Sequence, residues 1–395
     1  MNRLGYLDGL RGLLALIVFG EHFLKAFYPT AITHETIRHN GSYLDLTLIF
    51  SPLTYLYNGA FAVAGFFVLS GYLLMRSVWY SDNKDRTFHI QQIGRRYFRF
   101  AVPISVSLLF VLITGQLGLL NYDSFIQETG SNLKNIYPNQ DPIFLGDVLV
   151  QGFGTSLFAF DYRHNPVLWM MTPEMFAVIT FGVFGSILNN FASSQVTRAM
   201  SLLAFLSVSY FIVSGYLFVG IWIGALIFGI DLLWHRFTRN HWLVALGFFT
   251  VGAVLLLSNL KGGASNPFVV GKGSEHASNI AYTLYGIAWG GLLLGLLHLP
   301  ALQDALSNKS LQSLGKSSFG IYLFHYPLLG MLAVPIVNTF SLPWGIETLL
   351  AGVATLAASY LIGLVSYRWI ERPIIKAKSI KFQIKYDDYK AQIQN

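Results

Sequence analysis

One helical face near the start of the chain combines a cation with an imidazole. Arg11 and His22 are eleven residues apart in an apolar stretch, which is about 20° of rotation and about 16 Å of rise on an α-helix. Ionisable groups in apolar spans are functional candidates by default. Imidazole titrates near neutral pH, so His22 is a candidate general base for a hydroxyl group, the alternative being a structural bond to a neighbouring helix. This spacing suits a long amphiphilic donor whose phosphates lie near Arg11 and whose reactive group lies deeper.

A second basic group stands at the start of another apolar run. Arg96 and Arg99 are spaced i, i+3 and therefore share a helical face. Guanidinium groups match phosphate oxygens in a bidentate manner. The pair is a candidate phosphate site, and the alternative is the basic flank that membrane spans commonly carry.

An acidic residue interrupts a further apolar run at Glu174. The predicted orientation places Glu174 and His22 at comparable depth. A carboxylate there could orient and charge-stabilise His22, as the acid of a catalytic triad does for its base. The alternative is a structural carboxylate that pairs with another side chain.

Two polar pairs lie in the last third of the chain. Tyr322 and His325 are i, i+3 neighbours on one helical face, and they could donate hydrogen bonds to a carbonyl oxygen or hold the head of a donor. Arg368 and Glu371 have the same spacing, which predicts an ion pair at the end of the last span.

Several classes of site are not supported by the residues. The chain has no cysteine, so disulfides, thiolate nucleophiles and cysteine zinc sites are excluded. No G-x-S-x-G elbow occurs, so a hydrolase-type serine is not supported. His34 and His39 are spaced i, i+5, whereas a metalloprotease helix needs i, i+4. No metal site is predicted.

The elements that must position these residues are predicted to be transmembrane helices. The chain is 54% hydrophobic and 11% charged, whereas soluble domains carry about 25% charged residues. Apolar runs approach the length of about 20 residues that crosses a bilayer. They are predicted at 7–28, 53–75, 98–120, 166–188, 199–213, 216–234, 242–258, 279–298, 317–339 and 346–370. The predicted fold class is all-α, a polytopic transmembrane bundle of about ten spans.

The distribution of basic residues predicts the orientation. With the N-terminus inside, most of the 26 Lys and Arg residues fall on the inner side, so both termini are predicted to be cytoplasmic. The net charge of +7 is therefore interpreted as topology, and nucleic acid is not a predicted partner. Residues 1–373 form one predicted transmembrane core, and 374–395 form a basic cytoplasmic tail drawn to anionic lipid. A short apolar stretch near 143–160 is predicted to fold over the outer mouth.

In combination, these segments resemble the membrane acyltransferase family 3, which includes O-acetyltransferases of O-antigens, exopolysaccharides, peptidoglycan and Nod factors. The matching segments appear in family order. They are 7–12 (LDGLRG) with His22, 65–73 (GFFVLSGYL), Arg96 and Arg99 with Pro103, 169–174 (WMMTPE), 322–327 (YLFHYP) and 369–373 (WIERP). Two positions depart from the family pattern. The usual Trp-Ser-Leu-x-x-Glu phrase has a different middle here, and the segment before Gly65 lacks the acidic residue that is common there.

The resemblance implies an O-acyltransferase of the bacterial inner membrane, with acetyl-CoA or another acyl-CoA as donor on the cytoplasmic side. It implies a glycan or lipid-linked glycan acceptor at the outer side, such as lipopolysaccharide or exopolysaccharide, and partners from envelope-glycan biosynthesis. It also implies that Arg11, His22, Arg96 and Arg99 are needed, with His22 as general base or covalent acyl carrier. Tyr322 and His325 are candidates for contact with the donor.

Two other classes fit the same composition. A transporter of a lipid-linked sugar or amphiphilic metabolite would also have many helices and intramembrane charges, but it would move its substrate without acylating it. A scaffolding subunit of an envelope synthase would tolerate substitution of these polar residues.

Overall fold

The computed structural model describes residues 4–29, 57–80, 88–120, 143–191, 216–234, 246–247, 250, 275–340 and 342–375. In these ranges all regular secondary structure is helical. The helices are α1 (Gly5–Phe27), α2 (Gly59–Trp79), α3 (Phe88–Gln116), α4 (Leu145–Val150), α5 (Met171–Phe191), α6 (Tyr216–Trp234), α7 (Glu275–His298), α8 (Pro300–Leu306), α9 (Lys309–Leu328), α10 (Val334–Thr339) and α11 (Trp344–Ser366). Helix α4 continues through a π-helical segment (Gln151–Thr155) and a short turn (Ser156–Phe158), and a 3₁₀ segment (Pro166–Met170) leads into α5. Two further π-helical segments, Leu329–Ala333 and Tyr367–Glu371, follow α9 and α11.

Most of the predicted spans coincide with helices. Five helices of the described chain are long and apolar enough to cross a membrane, and a sixth is added if the bent pair of α7 and α8 forms one span. Helix α1 is also long enough at 23 residues, but it carries four charged side chains and is not one of these five. The predicted span 199–213, and all but three residues of 242–258, lie outside the described residues, so the number ten stays a prediction.

Helices α1, α2 and α9 form the centre of the bundle. Helix α1 packs on both α9 and α2, while α2 also packs on α5, α6 and α7, and α9 packs on α11. A side chain at Gly315 would overlap the carbonyl oxygen of Asp8, and one at Gly12 would meet Leu314. These glycines therefore let α1 and α9 approach closely, as small residues do between membrane helices. The two helices run parallel, which brings His22 level with His325.

The apolar segment 145–158 lies beside α3, and its place over the outer mouth stays a prediction. A side chain at Gly152 would overlap Ser105, and the Tyr97 hydroxyl donates to the Phe153 carbonyl at 2.7 Å. These contacts extend from the middle of α3 towards its arginine-bearing end. Several large apolar side chains of the segment are exposed, namely Leu145, Leu149, Val150, Phe153 and Phe158. An apolar surface of this kind suits contact with lipid.

Candidate active site

A cavity of about 460 Å³ lies between α1, α2, α3, α5, α9 and the end of α11. Six basic side chains line it, namely Arg11, Arg76, Arg95, Arg96, Arg99 and Lys316. Three acidic side chains line it as well, namely Asp8, Glu174 and Glu371. The structure thus brings the predicted Arg11, Arg96 and Arg99 into one lining. An excess of guanidinium groups favours an anionic ligand, and phosphate is the best match for their geometry.

The three predicted arginines differ in their partners. Arg11 Nη1 lies 3.4 Å from Asp8 Oδ1, and Arg99 Nε lies 3.1 Å from Glu371 Oε2. Arg96 forms no hydrogen bond or ion pair with any residue that the structure describes. Its donors are therefore the ones most open to a ligand in the cavity.

The partner of Glu371 is Arg99, whereas the sequence predicts Arg368. Residues 367–371 form a π-helical segment, in which i, i+3 neighbours no longer share a face as they do on an α-helix. The predicted ion pair assumed α-helical geometry, and the wider turn directs Glu371 towards α3. Glu371 joins the cavity for this reason.

Glu174 lies in the cavity wall and not beside His22. It is buried in the first turn of α5, and its Oε2 accepts a hydrogen bond from the Ser70 hydroxyl at 2.9 Å. The predicted pairing of Glu174 with His22 is therefore not found. In its observed place the carboxylate offsets part of the positive charge of the arginines. Sequence reasoning gave no role to Ser70, although a serine in the middle of the apolar run of α2 is a signal that could have identified it.

The imidazole of His22 pairs with that of His325. His22 Nδ1 and His325 Nε2 are 2.7 Å apart, and the rings stack with centroids 5.0 Å apart. His325 is fully buried, and its Nδ1 lies 2.8 Å from the Ile321 carbonyl oxygen. The sequence placed both histidines at the site but did not predict their contact, because His325 was assigned to the donor.

The hydrogen bonds determine which nitrogen of His22 has a free lone pair. A carbonyl oxygen can only accept, so His325 Nδ1 carries a hydrogen and neutral His325 accepts through Nε2. The hydrogen between the two rings then belongs to His22 Nδ1. It follows that His22 Nε2 holds a lone pair in the neutral state, as a general base or nucleophile requires.

Tyr322 stands between the cavity and the histidine pair. It lines the cavity, its ring centroid is 6.2 Å from that of His325, and its hydroxyl donates to the Val167 carbonyl. Neither histidine is part of the cavity lining. Tyr322 and the 3₁₀ segment that contains Val167 therefore separate the two parts of the site.

No group of side chains in the described residues is arranged to hold a metal ion. Asp, Glu and His residues occur in the site, but the structure pairs them with hydroxyl, guanidinium and imidazole groups.

Comparison with known proteins identifies a family. The profile of the acyltransferase domain family matches residues 4–364, nearly the whole chain. A 95-residue segment is 30% identical to the peptidoglycan O-acetyltransferase OatA of Listeria monocytogenes. This segment is 24% of the present chain and only 14% of that protein. No solved structure shows significant similarity to the chain.

Proposed function

The chain belongs to the acyltransferase domain family, and from this premise we propose that it transfers an acyl group from acyl-CoA to a hydroxyl group of a cell-envelope glycan. Acetyl is the proposed acyl group, since the similar segment of OatA comes from a peptidoglycan O-acetyltransferase. The bacterial inner membrane is the proposed location, with donor on the cytoplasmic side and acceptor at the outer side.

The observation that carries the proposal is the hydrogen-bonded series from the Ile321 carbonyl through His325 to His22. It leaves His22 Nε2 with a lone pair and fixes the plane of the ring. A half-buried imidazole held in this way is prepared to take a proton from a hydroxyl group. His325 is assigned here to positioning and not to the donor.

The proposed donor site is the cavity. Arg96, with Arg11 and Arg99, would hold phosphates of the donor. Glu174 would limit their mutual repulsion. The acyl-bearing arm would extend along the common face of Arg11 and His22, over the rise of about 16 Å that separates them.

The arm has to pass Tyr322 to reach His22. We propose that the Tyr322 side chain leaves the Val167 carbonyl when the donor enters. Its hydroxyl is then free to donate to the carbonyl oxygen of the thioester, where negative charge develops during transfer. A hydrogen-bond donor in this position typically stabilises the transition state by several kcal/mol, about 3–4 in measured cases.

The chemical step is an acyl transfer with one proton exchanged. His22 Nε2 takes the proton of the acceptor hydroxyl group. The oxygen of that hydroxyl group attacks the carbonyl carbon of the thioester at the same time. The C–S bond breaks, and the departing thiolate receives the proton from the His22 imidazolium. A two-step variant, in which His22 Nε2 itself carries the acyl group to the acceptor, uses the same geometry.

The test is transfer of radiolabel from acetyl-CoA to envelope glycan in membranes that contain the wild type or His22→Ala. Label is expected with the wild type and not with the variant. Binding of labelled CoA to the purified proteins is the control, and it should be retained in His22→Ala because His22 does not line the cavity. Full transfer by His22→Ala would refute the role of this residue. Movement of a labelled sugar lipid across vesicles without acylation would support the transporter class instead.

A further inference from the structure

The side of the cavity formed by α3 and the end of α11 contains two buried polar atoms that lack partners. Glu371 is 1% exposed, and Arg99 binds only its Oε2 atom. Among the described residues, neither Glu371 Oε1 nor Gln92 Nε2 has a hydrogen-bond partner, although both residues line the cavity. Buried polar atoms without partners are rare in native proteins because each carries a desolvation cost.

These two atoms require a ligand with particular groups. A carboxylate oxygen only accepts, so Glu371 Oε1 needs an N–H or O–H donor from the ligand. A phosphate offers oxygen acceptors and negative charge, and would be repelled there. Gln92 Nε2 only donates, so it needs an acceptor from the ligand. This side of the cavity is therefore suited to a neutral group and not to the phosphates that the arginines attract.

The surrounding side chains favour a flat ring. Phe100 and Phe319 line this part of the cavity with their ring centroids 5.8 Å apart, and Tyr367 and Ile375 line it as well. Aromatic rings and a guanidinium plane are the surfaces on which nucleobases stack. Adenine carries an amino group directly beside a ring nitrogen that accepts, which matches one acceptor and one donor in the wall.

We propose that the α3–α11 side of the cavity binds adenine, with its amino group donating to Glu371 Oε1 and its adjacent ring nitrogen accepting from Gln92 Nε2. This inference rests on the proposed function, in which an acyl-CoA occupies the cavity, and it names the part of the donor that this side recognises. Glu371 thereby selects a 6-amino purine over a 6-oxo purine. The oxygen of hypoxanthine would face the carboxylate, and its ring N–H would face the Gln92 amide.

The experiment measures competition by CoA and by its hypoxanthine analogue for labelled acetyl-CoA on the full-length protein in lipid nanodiscs. The wild type is expected to bind the hypoxanthine analogue about 10-fold to 100-fold more weakly, the range of one hydrogen bond to a charged group. In Glu371→Gln the amide can present either oxygen or nitrogen, so the two affinities should fall within about threefold of each other. The altered contact with Arg99 would weaken the binding of both compounds to a similar extent. The ratio of the two affinities is therefore compared between the variant and the wild type.

Two further variants distinguish loss of adenine recognition from a general disturbance of the structure. Gln92 takes no part in the Arg99–Glu371 ion pair, and Gln92→Leu should weaken CoA binding about 5-fold to 10-fold, as expected for one neutral hydrogen bond. Arg368→Ala alters the same π-helical segment at a residue outside the cavity lining, and it should keep the wild-type ratio. Equal affinity of the wild type for both analogues would overturn the inference while leaving acyl-CoA as the donor.

Free nucleotides distinguish failure of the inference from failure of the proposed donor. If acetyl-CoA does not bind, direct titration with ADP and with inosine diphosphate addresses the base alone. Preference for ADP that is lost in Glu371→Gln would support adenine recognition and refute only the acyl-CoA assignment. Equal binding of the two nucleotides, or binding of neither, would overturn the inference.

Discussion

At the scale of single residues, the proposed chemistry depends on the free lone pair of His22. His325 binds the other nitrogen of the ring at 2.7 Å and is itself anchored to the Ile321 carbonyl. The arrangement resembles the way a triad acid fixes the tautomer of its histidine, but a neutral imidazole replaces the acid. His325 therefore sets the position of His22 without adding a negative charge.

Substitution of His325 should reduce turnover more than donor binding. In His325→Ala, His22 loses its fixed tautomer and ring plane, so kcat is expected to fall about 10²-fold to 10³-fold. The KM for the donor should change by less than about threefold, because His325 lies outside the cavity lining. Steady-state transfer assays at several donor concentrations separate the two parameters. A rise in KM with unchanged kcat would instead place His325 at the donor.

Substitutions of two cavity arginines should differ in their effects on ligand affinity and on protein stability. Arg96→Ala removes a cation that has no ion pair in the described structure, so the affinity for CoA should fall about 10-fold or more with little change in thermal stability. Arg99→Ala leaves Glu371 buried without its partner, and this should lower the free energy of unfolding as well.

The expected loss for Arg99→Ala is about 1–3 kcal/mol. It is smaller than for a fully buried pair, because the Arg99 side chain is 32% exposed. Calorimetric melting in detergent and CoA titration report the two quantities. Equal loss of stability in both variants would contradict the assignment of Arg96 as a ligand-facing cation.

At the scale of elements, the contact of α1 with α9 sets the distance between the two histidines. Gly315 allows the backbones to touch at Asp8, about ten residues below the His22–His325 contact. Gly315→Ala should push the helices apart and cost about 1–3 kcal/mol, as overpacking typically does. Transfer activity should fall with stability, since the histidine contact depends on the same interface.

The matched control is Gly295→Ala in α7, where a new methyl group meets no atom of the described structure within 4 Å. This change should leave activity unaltered and should stabilise the protein by a few tenths of a kcal/mol up to about 1. Thermal unfolding and the transfer assay are run on both variants. Wild-type behaviour of Gly315→Ala would show that the α1–α9 spacing is not critical.

The elements could be predicted from the sequence far better than their contacts. Apolar run length is a local property, and the predicted span 216–234 coincides with α6. Pairing across helices is not local. No residue pattern predicts that Glu174 contacts Ser70 or that His22 contacts His325. The π-helical turn at 367–371 also changes which side chains share a face, and no residue pattern signalled it.

At the scale of the whole molecule, the predicted orientation has both termini in the cytoplasm. A C-terminal fusion to green fluorescent protein should therefore fluoresce, and a fusion to alkaline phosphatase should be inactive, because each reporter works on only one side of the inner membrane. The excess of Lys and Arg on the predicted inner side is the physical reason. Active phosphatase at the C-terminus would place this terminus outside and would refute the predicted orientation.

The position of Tyr322 between the cavity and the histidine pair has a consequence for proton leakage across the membrane. A continuous polar path from the cationic cavity to the histidine pair would give protons a route through the bundle. Tyr322, hydrogen-bonded to the Val167 carbonyl, places an aromatic ring across that path. The proposed function and orientation therefore predict that an activated acyl group enters from the cytosol without a leak of protons through the bundle.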